Sequence, residues 1–247
     1  MLSPFMPGPE FRFKQFSVRQ DKCAMKVGTD GVLLGAWTQP GDADYILDVG
    51  TGTGLIALMM AQNSEAVIHA IDIDGEACLQ AGENFRRSQW ADRIKVFHTS
   101  LQHYAAISLV RYDLIVSNPP FFIDAHKALS EARNIARHLD ETLSIPELLY
   151  GVKKLLGPKG RFCVIFPQKE ALRFLEYATT HGLYVTQITR VKTKVEKQEK
   201  RMMMEFSLVL KPFSEDEIVI QEEDLTFTRE YVELTSEFYL KDGGRKA

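Results

Sequence analysis

A chain of 247 residues with 45% hydrophobic and 26% charged content has the composition of an ordinary globular protein. At this length folding buries roughly 70% of the unfolded surface, which excludes a fibrous or disordered chain. With 30 Lys and Arg against 33 Asp and Glu the net charge is −3, which excludes a uniformly basic protein that coats nucleic acid but not one with a local basic patch.

The apolar runs come in an alternating order. A strand over 45–49 precedes a helix over 55–62, then a strand over 67–71, a helix from 75 to about 88, and strands over 94–98 and 114–117. A helix over 145–156, a strand over 161–166 and a helix over 169–181 come next. Alternation of this kind predicts an α/β fold: a Rossmann-like, mostly parallel sheet with helices on both faces. Gly157-Pro158-Lys159-Gly160 reads as the turn between helix and strand, and Gly182 as a helix C-cap. Strands over 183–191 and 202–210 have no helix between them and so predict an antiparallel hairpin at the far edge of the sheet. In the tail, apolar residues at 227, 231, 234 and 238 predict a final helix over 227–240. No linker divides the middle, so the chain reads as a single domain, with an N-terminal segment over 1–43, a core over 44–211 and a helical extension over 212–247.

Cys23, Cys78 and Cys163 have no C-x-x-C spacing, which points to neither a disulfide framework nor a metal site and to a reducing compartment. Residues 1–20 lack an apolar leader, and no uncharged stretch is long and apolar enough to cross a bilayer. The expectation is a cytoplasmic protein, without membrane or metal, acting as a monomer or weak dimer.

Two strand ends carry the chemistry. The first is Asp48-Val49-Gly50-Thr51-Gly52-Thr53-Gly54. Glycines let the backbone turn tightly and approach a ligand, and the helix beyond them offers unpaired amides. The spacing is G-x-G-x-G and not the dinucleotide G-x-G-x-x-G, which argues for S-adenosylmethionine over NAD, since its methionine part has no pyrophosphate to cradle. About 20 residues on, Ile71-Asp72-Ile73-Asp74 places Asp72 to accept the ribose hydroxyls, beside Ile73, while Asp74 reads as a helix cap.

The second strand end is Tyr112-Asp113-Leu114-Ile115-Val116-Ser117-Asn118-Pro119-Pro120-Phe121-Phe122. Asn and Pro-Pro break the strand, so Asn118 begins a rigid turn at the edge where open α/β sheets bind ligands. An amine conjugated to a π-system is a poor nucleophile. The Asn118 side-chain oxygen and the Pro119 carbonyl, preorganised by the fixed φ of the Pro119-Pro120 pair, are placed to accept its two hydrogens and aim its lone pair at a sulfonium methyl. Phe121 is placed to stack on a flipped base, worth roughly 1–3 kcal/mol, and Phe122 reads as packing.

These residues resemble class I S-adenosylmethionine-dependent methyltransferases with an N-P-P-[FY] signature, whose seven-stranded sheet ends in an antiparallel hairpin. The segment Phe13-Lys14-Gln15-Phe16 through Asp21-Lys22-Cys23-Ala24-Met25-Lys26-Val27-Gly28-Thr29-Asp30-Gly31-Val32-Leu33-Leu34-Gly35-Ala36-Trp37, with Ala136-Arg137-His138, is more particular. It is similar to the tRNA1(Val) adenine-37 N6-methyltransferase family, from about Phe13 to Leu210. The resemblance implies that Lys26, Gly28, Thr29 and Asp30 close over the methionine end of the cofactor, and that the substrate is the anticodon loop of a tRNA. Where many relatives carry an acid near the cofactor's adenine, this chain has Thr99-Ser100, and Ser100 is the candidate acceptor there.

From Arg190 to Arg201 the sequence has six basic and two acidic residues. Lys192, Lys194, Lys197, Lys200 and Arg201 are candidates to grip RNA phosphates, or else simply a solvated face. Arg133, Arg137 and His138 are candidates nearer the reacting centre, and a single-stranded loop lowers the cost of presenting the base. The expected activity is N6-methylation of adenine in tRNA. Guanine-N2 methylation of ribosomal RNA, glutamine-N5 methylation of a protein, a non-catalytic RNA- or nucleotide-binding module and, more remotely, an NAD-dependent oxidoreductase are the alternatives.

Overall fold

The computed structural model describes residues 10–23, 25–120 and 143–240. Its elements, in chain order, are β1 (Glu10–Arg12), β2 (Ser17–Arg19), α1 (Thr29–Trp37), β3 (Tyr45–Val49), α2 (Leu55–Gln62), β4 (Val67–Asp72), α3 (Gly75–Arg86), β5 (Ile94–His98), α4 (Leu101–Ile107) and β6 (Tyr112–Ser117). After the undescribed stretch come α5 (Ile145–Leu155), β7 (Leu156–Pro167), α6 (Gln168–Thr180), β8 (Tyr184–Lys194), β9 (Arg201–Ser207), β10 (Ser214–Gln221) and α7 (Arg229–Thr235).

The large sheet runs β10-β8-β9-β7-β6-β3-β4-β5. All its pairings are parallel except those of β9, which lies antiparallel between β7 and β8. The hairpin is therefore not at the edge, and the sheet has eight strands rather than seven. The eighth, β10, pairs in parallel with β8, for example Glu217 with Arg190. It lies inside the segment read as a helical extension, ahead of the expected helix, and went unread because Ser-Glu-Asp-Glu at its start carries no apolar alternation and only Ile218 is buried. The final helix is also shorter than expected. Phe238 and Tyr239 still bury, through Lys14 N donating to Phe238 O at 2.8 Å and a bridge between Phe13 and Tyr239, so the apolar period survives where the helix does not.

Both faces of the sheet are covered, which is why the central strands are apolar without interruption. On β7, Cys163 and Ile165 face α1, α2 and α7, while Phe162, Val164 and Phe166 face α4, α5 and α6. Fully burying each such side chain contributes roughly 1.5–3 kcal/mol. The second layer centres on Phe174, whose ring centroid is 5.1 Å from Phe166 and 5.3 Å from Phe206. Helix α6 stops as the glycine signal implies: Gly182 has φ 74°, Leu183 N donates to Ala178 O at 3.0 Å and Gly182 N to Thr179 O at 3.1 Å, a Schellman motif. The Gly157–Gly160 stretch is not a free turn. It is the bulged start of β7, where pairing jumps from Tyr112 with Leu156 to Leu114 with Arg161. Helix α4 leaves no sequence signal because its buried Leu101, Tyr104 and Ala105 span a single helical repeat.

Candidate active site

The parallel strands end together at one edge, and the loops beyond those ends build the site. The chain leaves β3 through Gly50, Gly52 and Gly54, all at positive φ. Gly50 N and Thr51 N donate to Ile71 O at 2.9 and 3.1 Å, which pins this loop to the end of β4. The carboxylate of Asp72 completes the brace: one oxygen accepts from Gly52 N at 2.8 Å and the other from Asp74 N at 3.0 Å. Burial raises the Asp72 pKa, opposed by these hydrogen bonds. On the other side of β3, Ser117 Oγ donates to Val49 O at 2.9 Å, so β6 and β3 are locked in register at the residue before Asn118.

Two cavities open along this edge. One, of about 340 Å³, is walled by Gly50, Gly52, Ile71, Asp72, Ile73, Ser100, Leu101, Gln102, Leu143 and Asn118 to Pro120, together with Cys23 and Met25. The other, of about 290 Å³, lies beneath residues 25–31 and is closed by Gly50 to Thr53, Leu55, Ile56, Asn118 and Pro119. Met25, Gly50, Gly52, Asn118 and Pro119 belong to both. A Cβ built on Gly50 meets nothing within 4 Å, so the loop backbone faces open ligand space there. Largely apolar walls with Asp72 at the end of β4 and Asp74 just beyond it fit a nucleoside, and the adjoining space under Lys26, Thr29 and Asp30 fits a charged tail.

Most of the expected cofactor residues are thus gathered. Asp72, Ile73 and Ser100 line the first cavity, Lys26, Gly28, Thr29 and Asp30 the second, and Gly50 and Gly52 both. Asp48 and Gly54 line neither. Asp48 is buried beneath the loop, where one of its oxygens accepts from Thr51 Oγ1 at 2.7 Å and Ala57 N at 3.2 Å, and burial pushes its pKa up to about 7. Gly54 packs on α3 instead. The Ser100 hydroxyl is committed as the N-cap of α4, accepting from His103 N at 3.2 Å. Cys23, Met25, Leu101, Gln102 and Leu143 are wall residues that the sequence did not single out. They lie in aperiodic segments or on α4, so no motif announces them.

Among the acceptor residues, Asn118, Pro119 and Pro120 stand at the end of β6, and Pro119 is buried. Phe121, Phe122, Arg133, Arg137 and His138 lie outside the described residues. The turn between β8 and β9 emerges at the same sheet edge. Lys197 and Lys200 are exposed there. Other cations of the run are engaged within the protein. Arg201 Nε is 2.7 Å from Asp30 Oδ2, Lys192 Nζ is 2.8 Å from Glu217 Oε2, and Lys194 Nζ donates to Glu223 O at 3.2 Å. Among the described residues no cluster of His, Cys, Asp and Glu has the geometry of a metal site, and no helix is long and apolar enough to cross a membrane.

The strand order, the antiparallel β9 and a glycine loop facing an Asn-Pro-Pro turn define a Rossmann-like methyltransferase. The fold is similar to that of a predicted O-methyltransferase from Agrobacterium tumefaciens, with a TM-score of 0.65 and 14% identity over 85% of this chain and 96% of the other. A putative RNA methyltransferase from Pyrococcus horikoshii aligns with a TM-score of 0.52 and 19% identity over 73% and 82% of the two chains. Residues 26–169 match the family described as "Methyltransferase small domain". A tRNA1(Val) (adenine(37)-N6)-methyltransferase from Trichodesmium erythraeum is 48% identical over 96% of this chain and 100% of its own length. One of the same name from Parabacteroides distasonis is 47% identical with the same coverage. The chain belongs to the methyltransferase small-domain family and, within it, to the tRNA1(Val) (adenine(37)-N6)-methyltransferases.

Proposed function

We propose that this protein methylates N6 of an adenine in the anticodon loop of a tRNA, adenine 37 of tRNA1(Val) being the substrate that its relatives' names indicate. The observation that carries this reading is the position of Asn118 and Pro119 on the wall common to both cavities, beside Gly50 and Gly52. When bound, S-adenosylmethionine would supply an electrophilic methyl group. We assign Asp72 to the ribose, Lys26 to Asp30 to the methionine end, and the close backbone of Gly50 and Gly52 to the space between.

The chain's own part is orientation. The Asn118 side-chain oxygen and the Pro119 carbonyl accept the two amine hydrogens, which turns the nitrogen towards sp³ and points its lone pair at the methyl carbon. Locking β6 to β3 through Ser117 and Val49 supports this, because it fixes the distance between the amine's acceptors and the cofactor loop. After transfer the nitrogen is a positively charged ammonium, acidic enough to lose its proton to water, so no general base of matched pKa is required. Phe121 is assigned to stack on the base. The exposed Lys197 and Lys200, with Arg133, Arg137 and His138, are assigned to the RNA strand.

Transfer of labelled methyl groups to total tRNA, with identification of the labelled nucleoside, tests the reading. N6-methyladenosine is expected; methylated guanosine, or label only in protein glutamine, would replace it with the corresponding alternative. Asn118→Ala is expected to abolish transfer while calorimetry still shows cofactor binding, and wild-type turnover in that variant would refute the amine-orienting role.

A further inference from the structure

The strap of residues 19–23 and 25–28 leaves the end of β2 at Arg19 and runs on to α1 without regular pairing beyond that residue; Cys23 and Met25 wall the first cavity, and Met25 to Gly28 the second. Four of its backbone groups are held by buried side-chain amides. Asn84, buried on α3, accepts from Arg19 N at 2.9 Å and donates through its Nδ2 to Arg19 O at 2.9 Å and Thr53 O at 2.8 Å. Both amide hydrogens are thereby used, one on the strap and one on the glycine loop. One turn earlier, the fully buried Gln80 accepts from Lys22 N at 2.9 Å, and within the strap Gln20 accepts from Val27 N at 2.9 Å. Lys22 and Glu83 add an ion pair at the surface.

We infer that Asn84 is a positioning residue for the cofactor: it couples the strap to the glycine loop, so that two walls of the site are held by one amide, with Gln80 as a second tie. Asn84 touches neither cavity. Its effect passes through Thr53, Arg19 and the strap residues Cys23, Met25 and Lys26 that do. Two backbone segments that bear no sequence relation to each other are placed by a single side chain, and an amide is the group that supplies a donor to each while accepting from one. A hydroxyl or a carboxylate lacks the two donors.

The inference rests on the assignment of these cavities to S-adenosylmethionine, and the experiment separates the two. Asn84→Asp keeps the shape, removes both donors and sets a carboxylate against two carbonyl oxygens. Gln80→Leu cuts the second tie while also removing an amide nitrogen that is buried with no partner among the described residues, so the lost Lys22 contact is offset in part and the strap loosens more than the fold does. S-adenosylmethionine affinity is read by calorimetry on the full chain, with steady-state kinetics on tRNA and trypsin cleavage after Lys22 and Lys26. Loss of one to two buried hydrogen bonds corresponds to an affinity lower by about tenfold for Asn84→Asp and about threefold for Gln80→Leu. kcat at saturating cofactor and KM for tRNA are expected to hold, and strap cleavage to accelerate only in the cofactor-free variants.

Should Asn84→Asp fail to fold, Gln80→Leu decides alone. Equal cofactor affinity and equal cleavage in wild type and variant overturn the strap. So does a fall in the Gln80→Leu unfolding midpoint that parallels its affinity, since that is the mark of a merely structural residue. If wild type itself does not bind S-adenosylmethionine, the cofactor assignment falls instead.

Discussion

Gly50 and Gly54 sit four residues apart in the same loop, both at positive φ, yet replacing each by alanine is expected to fail in different ways. At Gly54, φ is 83° and a Cβ stands 2.5 Å from Phe85 Cε1, 2.9 Å from its Cζ and 3.3 Å from Ala81 Cβ. The left-handed backbone costs about 1–2 kcal/mol for an L-residue, and forcing a methyl into a packed contact about 1–3 kcal/mol more. Phe85 is buried on α3, so its ring yields only by displacing core neighbours. Gly54→Ala is therefore expected to lose about 2–5 kcal/mol, a large share of a net stability of about 5–15 kcal/mol. At Gly50, φ is 72° and the Cβ meets nothing within 4 Å. Only the backbone cost of about 1–2 kcal/mol applies, but the new methyl enters the space that both cavities share. Urea unfolding at constant slope measures the first quantity and calorimetry with S-adenosylmethionine the second. Gly54→Ala should shift the midpoint strongly and leave the affinity of the folded fraction near wild type; Gly50→Ala should unfold only modestly earlier and bind at least about tenfold more weakly, the loss that corresponds to 1.4 kcal/mol. A Gly54→Ala variant within about 1 kcal/mol of wild type, or a Gly50→Ala variant that binds normally, would refute this division of the loop into a packing glycine and a ligand-facing one.

Asp48 has its folded pKa raised to about 7 by burial, so the stability it lends as a neutral group is full below the unfolded value of 3.8 and is lost as pH rises through about 7. A shift of that size is worth on the order of 4 kcal/mol; urea midpoints should decline between about pH 4 and 7, and Asp48→Asn should flatten that decline, whereas an unchanged profile would show that the carboxylate is charged in the fold. Phe174→Ala should cost about 3–5 kcal/mol, because the ring is fully buried among Phe162, Phe166 and Phe206; a loss below about 1.5 kcal/mol would mean that this layer collapses around the void. Lys197→Ala with Lys200→Ala should lower the slope of log affinity for tRNA against log salt by about 0.7 per lysine while cofactor affinity holds, and an unchanged slope would remove the β8–β9 turn from the RNA path.

How much of this was legible depends on where the physical constraint lies. The central strands and their helices read directly, because burial on both faces leaves uninterrupted apolar runs and Gly182 ends α6 where a left-handed residue is required. Gly50, Gly52, Asp72 and Asn118 also read directly, since backbone closeness and strand termination demand those residue types. Asp48 and Gly54 belong to the same motif, and motif membership does not reveal which way a residue faces: the carboxylate points under the loop and the glycine onto Phe85. Strand β10 was hidden for a different reason. Its apolar face is only Ile218 and Ile220, its first half carries the carboxylates that pair with β8, and partners some 25 residues apart in sequence leave no local period.

Those ion pairs bear on how the protein would hold RNA. As a linear sequence, the basic run from Arg190 to Arg201 looks like one continuous phosphate-gripping surface. Folded, it is sorted. Arg190 pairs with Glu199 and Glu215, Lys192 with Glu217, and Arg201 with Asp30 beside the second cavity. A polyanion approaching the flank of β8 meets the carboxylates of β10 alongside the cations, and the near-neutral sum offers little attraction beyond a Debye length of about 8 Å at physiological salt. At the tip of the turn, Lys197 and Lys200 are exposed on the sheet edge that carries Asn118. Charge pairing along the strands therefore confines the attractive field to the end of the hairpin nearest the site, which turns a diffuse basic stretch into a directional one. Reversing Glu215 and Glu217 to lysine tests this: the variant should bind RNA more tightly overall yet methylate it no faster per bound molecule, because the added attraction lies along the flank and not at the edge where the amine is oriented. A rise in kcat would place the productive RNA path along β10 instead.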